Sequence, residues 1–223
     1  MGTRIHTLEV GLGRNLTYLI VDEDTGEAAL VDPAFEADRI LRWVRENARA
    51  LRHVLVTHTH MDHVEAVGAV ARETGADVRV HALEADKLPD DVDRALVRPH
   101  QSDPALRLGE TVITGVHTPG HTPGGTTYLT GMYALTGDVL FVNGCGRVDL
   151  QGGDADAMFH SLYDVLLELP PETIVLPGHD YGPRTRSTLW DEARENPYLK
   201  YRGNQDGFRD FRLNSRMGKR IVR

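Results

Sequence analysis

Thr57-His58-Thr59-His60-Met61-Asp62-His63 is the stretch on which the reading of this 223-residue chain turns. Directly before it runs Val54-Leu55-Val56, whose apolar character predicts a buried strand ending in a loop. Side chains two apart in extended backbone point the same way, so His58 and His60 are able to reach one ion together. The spacing of Val64, Val67, Val70 and Ala71 then predicts a helix, and the turn into it sends Asp62 and His63 toward a different point, suited to a second ion. Three imidazoles in one strand-to-helix turn gain little as packing groups and repel when protonated, so a metal site is expected. By contrast His6, His53, His81, His100, His117 and His160 are read as ordinary surface or core histidines.

Length and composition bound the rest. A chain of 223 residues with 40% hydrophobic content is long enough for a well-buried core and predicts a single domain over 1–223, with 183–223 as its helical, basic C-terminal extension. A net charge of -8 and a pI near 5.7 disfavour nucleic acid or an anionic membrane as the main partner and favour a small molecule. No run approaches the ~20 apolar residues of a membrane span, and Met1 to Val10 lacks the pattern of a signal peptide, so a cytoplasmic location is expected. Cys145 is the only cysteine, which excludes an internal disulfide and leaves nitrogen and oxygen ligands for the metal: zinc, iron or manganese.

Along the chain, Ile5–Val10, Leu16–Val21 and Ala28–Val31 predict a strand meander, followed by a helix from near Glu36 carrying Ile40, Leu41 and Val44. Leu51 to Val56 returns to strand, the helix after His63 stops at Thr74-Gly75, and Val78 to Val80 is a further strand. Asp86 to Asp93 reads as a surface excursion lining a pocket mouth. Thr111 to Val116 runs into a turn at 118–125 with two prolines and three glycines around His121. Strands at Thr126–Leu129 and Tyr133–Leu135 lead to Gly137-Asp138. Asp154 caps an expected helix through Leu169, and Ile174 to Leu176 ends at Gly178-His179. A helix is expected over Arg184–Glu195. The tail carries Arg202, Arg209, Arg212, Arg216, Lys219, Arg220 and Arg223, read as a solvated end docked by Tyr201, Phe208 and Phe211.

The cluster at 57–63, the His121 turn, Gly137-Asp138 and Gly178-His179 together resemble the metallo-β-lactamase superfamily over nearly the whole chain. That resemblance implies an α/β fold, a four-layer αβ/βα sandwich of two facing mixed sheets with outer helices. It also implies that His58, His60 and His121 hold one metal, that Asp62, His63 and His179 hold a second, and that Asp138 bridges them. The implied cofactors are two divalent ions, zinc first, with iron or manganese as alternatives. Gly144-Cys145-Gly146-Arg147 and His179-Asp180-Tyr181 resemble the glyoxalase II branch, which implies that Arg147 and Tyr181 bind a thiol-derived substrate such as a glutathione conjugate. An alternative role for Arg147 is an ion pair with Asp149 or Asp154, and Cys145 is read as a small packing residue. The expected function is thioester hydrolysis by a metal-bound hydroxide, with Asp62 both ligating and orienting the nucleophile. The run Gly146-Arg147-Val148-Asp149-Leu150-Gln151 is also similar to that of persulfide dioxygenases, which implies the alternative of a single iron on His58, His121 and Asp138 acting on glutathione persulfide. The assembly is expected to be a monomer or homodimer.

Overall fold

The computed structural model describes residues 2–101 and 105–214, so Arg216, Lys219, Arg220 and Arg223 lie outside the described residues. The chain forms two compact units, Met1–Gly115 and Val116–Arg223.

The first unit carries β1 (Thr3–Val10), β2 (Asn15–Asp22), β3 (Glu27–Val31), α1 (Ala37–Asn47), β4 (Ala50–Leu55), α2 (Met61–Val64), α3 (Val67–Thr74), β5 (Asp77–His81), β6 (Val97–His100), β7 (Leu106–Leu108) and β8 (Thr111–His117), which runs on past Gly115. Strands β1 to β6 lie in sequence order in one mixed sheet. The first three pair antiparallel, and β3 to β6 pair parallel. Parallel neighbours need a crossover, supplied by α1 between β3 and β4 and by α2 and α3 between β4 and β5. The apolar stripe of α1, Ile40, Leu41 and Val44, packs with Val67, Val70 and Ala71 of α3 and with Val54, Val78 and Val80 of the sheet. Asp22 joins the β7–β8 hairpin to β2: its Oδ2 accepts from the Thr111 backbone N–H at 3.1 Å and from the Thr111 hydroxyl at 3.0 Å.

Two strands of this unit, β6 and β7, were not expected. Val97-Arg98-Pro99-His100 shows no apolar alternation, yet it is β6, the last strand of its sheet, where a proline without an N–H is tolerated. The excursion over 86–93 is anchored by buried Leu88 and Val92 rather than fully solvated.

The second unit carries β9 (Thr126–Thr130), β10 (Tyr133–Gly137), β11 (Leu140–Phe141), β12 (Gly144–Cys145), α4 (Ala155–His160), β13 (Ile174–Pro177), β14 (Ser187–Thr188), α5 (Leu189–Glu195) and α6 (Gln205–Asn214). Within it the strands run β14-β13-β10-β9, a second mixed arrangement in which only β10 and β13 are parallel. Its core joins Met158, Leu162 and Leu166 to Val175, Leu189, Tyr198 and Phe208.

Here the expected elements need three corrections. The helix capped by Asp154, whose carboxylate accepts from Asp156 and Ala157 N–H, gives way at Ser161 to a π turn and then a 3-10 turn. The helix expected from Arg184 starts only at Leu189, because Ser187 and Thr188 pair with β13 and the Thr188 hydroxyl caps Asp191 N–H. Phe208 does dock the tail, but Arg212 is buried and not solvated. Among the described residues no helix is long and apolar enough to cross a membrane.

Candidate metal centre

In the first unit all four candidate ligands follow β4. The strand delivers His58 into the loop, and His60 sits at the N-terminal boundary of α2, which carries Asp62 and His63. The His58 ring lies 4.8 Å from that of His60 and 4.1 Å from that of His63, centroid to centroid.

What aims these rings is Asp32, buried just after β3 with φ 47°. Its Oδ1 accepts from Thr57 N–H at 2.8 Å, and its Oδ2 accepts from the Thr57 hydroxyl at 2.6 Å and from His63 Nδ1 at 3.1 Å. Since the Thr57 hydroxyl donates to Asp32, its oxygen accepts from His58 Nδ1, 3.1 Å away. Both histidines therefore carry their proton on Nδ1 and present the Nε2 lone pair, the state an imidazole needs to bind a metal. Asp32 lies within 4.8 Å of the ligand atoms of His58 and His63 and could itself be counted as a ligand, but both its oxygens are already engaged. Asn15 acts on Asp62 in the same manner, donating from Nδ2 to the Asp62 carbonyl at 2.8 Å and to its Oδ2 at 3.1 Å. Thr59, between the first two histidines, donates its hydroxyl to the buried carboxylate of Glu84.

The second unit presents three more candidates. His121 projects from a turn closed by Thr118 N–H on Gly125 O at 2.8 Å and tied to the start of α4 by Asp154 N–H on Gly120 O at 2.9 Å. Gly120, at φ 132°, lies so close to the Met158 backbone that no side chain fits there. Asp138 and His179 follow the ends of β10 and β13, and the parallel register pairs Gly137 with Pro177, so the two come out side by side. Asp138 Oδ2 lies 3.6 Å from His121 Nε2 and 3.5 Å from His179 Nε2. His121 Nδ1 donates to the Arg147 carbonyl at 2.7 Å, which leaves its Nε2 lone pair facing that carboxylate. A neutral His121 turned on that carboxylate calls for a cation between them, and two imidazole nitrogens about one carboxylate oxygen are a donor set that fits a divalent metal.

The substrate candidates are less alike than expected. Tyr181 stacks on His179, 4.5 Å between centroids and 8° between planes, with Phe141 edge-on to it at 5.5 Å. The Arg147 guanidinium pairs with Asp149 through two bonds of 2.9 and 3.0 Å, which raises its pKa and lowers that of Asp149. The ion pair is thus present, while the Arg147 carbonyl serves His121. Burial pushes the Cys145 thiol up to about 12, as suits a packing residue.

Sequence reasoning missed Asp32 and Asn15. An aspartate before a proline at a strand end reads as no more than a strand stop, and an asparagine opening a strand carries no pattern of its own.

A family model described as the metallo-beta-lactamase superfamily matches residues 10–179. The chain belongs to the metallo-beta-lactamase superfamily. Its relatives within that superfamily include a dioxygenase and a hydrolase. The mitochondrial persulfide dioxygenase ETHE1 of Mus musculus is 32% identical over 197 residues, covering 82% of this chain and 70% of that protein. The hydroxyacylglutathione hydrolase of Methylobacterium sp. (strain 4-46) is 39% identical over 190 residues, covering 84% and 71%. Among solved structures, ETHE1 from Myxococcus xanthus gives a TM-score of 0.81 at 37% identity, over 99% of this chain and 95% of that one. The expected metallo-beta-lactamase fold, mixed sheets with helices, is therefore borne out, and so is the branch.

Proposed function

We propose that His58, His60, Asp62, His63, His121, Asp138 and His179 serve one metal centre, and that the protein acts on a thiol-derived small molecule. The observation that carries this reading is the state of the three best-defined rings: His58, His63 and His121 each spend Nδ1 on an internal acceptor and offer Nε2. The superfamily match spans both sets of ligands, which supports their joint use.

Of the two reactions, persulfide oxidation is the first reading. Arg147 and Asp149, the charged positions of the run similar to persulfide dioxygenases, are bound to each other, and the likeness to ETHE1 of Myxococcus xanthus extends over nearly the full length of both chains. His58, His121 and Asp138 would then hold one iron, which would supply the dioxygen chemistry. Asp149 keeps the Arg147 side chain in place beside the loop that fixes His121, and Tyr181 presents an aromatic face stacked on His179.

Thioester hydrolysis is the second reading, favoured by the care taken over the remaining ligands. Asn15 holds the Asp62 carboxylate and Asp32 holds His63, which suits a set meant to bind a second ion. In that case Asp62 both ligates and orients the attacking water.

Elemental analysis of protein purified without added metal, paired with two assays, tests the choice. About one iron per chain with dioxygen uptake on glutathione persulfide is expected. About two zinc ions with thiol release from S-D-lactoylglutathione would replace oxidation by hydrolysis. Protein that takes up neither metal would sink both.

A further inference from the structure

The C-terminal helices bury two charged side chains that the reading above does not use, and burial of a charge is costly unless it is paired and hydrogen-bonded. Glu192 of α5 is fully buried. Its Oε1 accepts from the Ser187 hydroxyl at 2.5 Å, and its Oε2 accepts from Asn143 N–H at 2.9 Å and from Asn196 Nδ2 at 2.8 Å. Asn196 Nδ2 also donates to Gly144 O at 3.0 Å. Asn143 holds φ 59°, a left-handed conformation that asparagine tolerates, at the head of the loop these groups bind. From α6, buried Arg212 donates from Nε to Gly146 O at 2.9 Å, with its guanidinium carbon 5.7 Å from the centre of the Tyr198 ring. Three of these contacts, at Asn143 N–H, Gly144 O and Gly146 O, end on the loop from Asn143 to Gly146. The next residue is Arg147, whose carbonyl accepts the His121 proton.

We infer that Arg212 and Glu192 are positioning residues for His121: they clamp the 143–146 loop from below, so that the Arg147 carbonyl stays aimed at His121 Nδ1 and Nε2 remains the metal-binding nitrogen. This rests on His121 being a ligand, as proposed above. A guanidinium suits the task because it adds a directional Nε–H bond to a carbonyl and keeps further donors for its surroundings.

The test uses the full chain labelled with 15N-histidine. Two-bond nitrogen–proton correlations report which nitrogen of His121 carries the proton, and zinc affinity is measured separately by competition with a chromophoric chelator. Arg212→Met and Glu192→Gln are expected to mix the His121 tautomers and weaken zinc binding about tenfold, the scale seen when a group supporting a ligand is lost. Arg212→Lys should restore neither, because an ammonium lacks the Nε–H geometry. Tyr163→Phe is the control. It removes the phenol that donates to Tyr198 O at 2.8 Å and accepts from Tyr201 N–H at 2.7 Å, loosening the segment between α5 and α6 without removing a hydrogen bond to the loop. It should lower Tm and leave tautomer and affinity as they are. An unchanged Nδ1–H tautomer in both Arg212→Met and Glu192→Gln overturns the inference, as does an equal loss of zinc affinity in Tyr163→Phe at matched Tm. If the unmodified protein binds no metal, the metal-centre reading fails by itself, and the tautomer comparison still decides the clamp.

Discussion

At the scale of single residues, the ligand cluster is placed by groups that are not ligands. Asp32 is the clearest, because one carboxylate sets the tautomer of His58, through Thr57, and of His63 directly. Asparagine tolerates the same positive φ, so Asp32→Asn removes the charge without forcing the backbone to change. It is expected to weaken metal binding about 10- to 100-fold with little change in the far-ultraviolet spectrum. A chelator-competition titration checks this, and wild-type affinity would show that Asp32 does not govern the rings. Gly146 is a second such residue. A Cβ there would sit on the Asp138 carbonyl oxygen and 3.1 Å from His121 Nδ1. The clash is with backbone, so Gly146→Ala is expected to cost at least about 1–3 kcal/mol of stability and to lower metal content. Urea unfolding with metal analysis would reveal it. The sequence made the histidines legible because seven positions held four candidate ligands. It left Asp32 illegible because its importance lies in what it touches 25 and 31 residues later.

At the scale of elements, the parallel crossovers and the meander were readable from apolar spacing, since their strands and helices each bury a regular face. The failures share a cause. Ser187-Thr188 and Val97–His100 are edge pieces whose strand state comes from a neighbour's backbone rather than from their own pattern. Likewise Met158, Leu162 and Leu166 recur every four residues, a spacing that an α turn followed by a π turn satisfies as well as an unbroken helix. The β7–β8 hairpin offers a test at this scale. Asp22 is held down to about 2 by the Thr25 backbone N–H first, then by the Thr25 hydroxyl and by Thr111. A carboxyl with a folded pKa below its ordinary value of 3.8 stabilises the fold above that value, and the contribution is lost as pH falls toward 2. Urea unfolding at pH 5 and at pH 2.5 should therefore show a smaller pH-dependent loss for Asp22→Asn than for the wild type. Equal losses would mean that the acidic window belongs to other carboxylates.

At the scale of the whole molecule, the seven proposed ligands are shared between the two units, four from 58–63 and three from 121, 138 and 179. The superfamily match over 10–179 supports their use as one centre, and that use has a thermodynamic signature. A ligand that binds only the folded state adds about 2.7 kcal/mol of stability at a free concentration a hundredfold above its Kd. If the centre is common, His58→Ala and His179→Ala should each remove much of the metal-induced rise in Tm, although they lie in different units. The double variant should then lose little more than either single one, because residues serving one site are not additive. If each unit bound its own ion, the two losses would add instead, and each single variant would keep the other unit's share. Thermal unfolding of the four proteins, with chelator and with saturating metal, distinguishes these outcomes without any knowledge of the substrate. Additive losses would leave the fold and the superfamily intact but dismantle the common centre on which both proposed reactions depend.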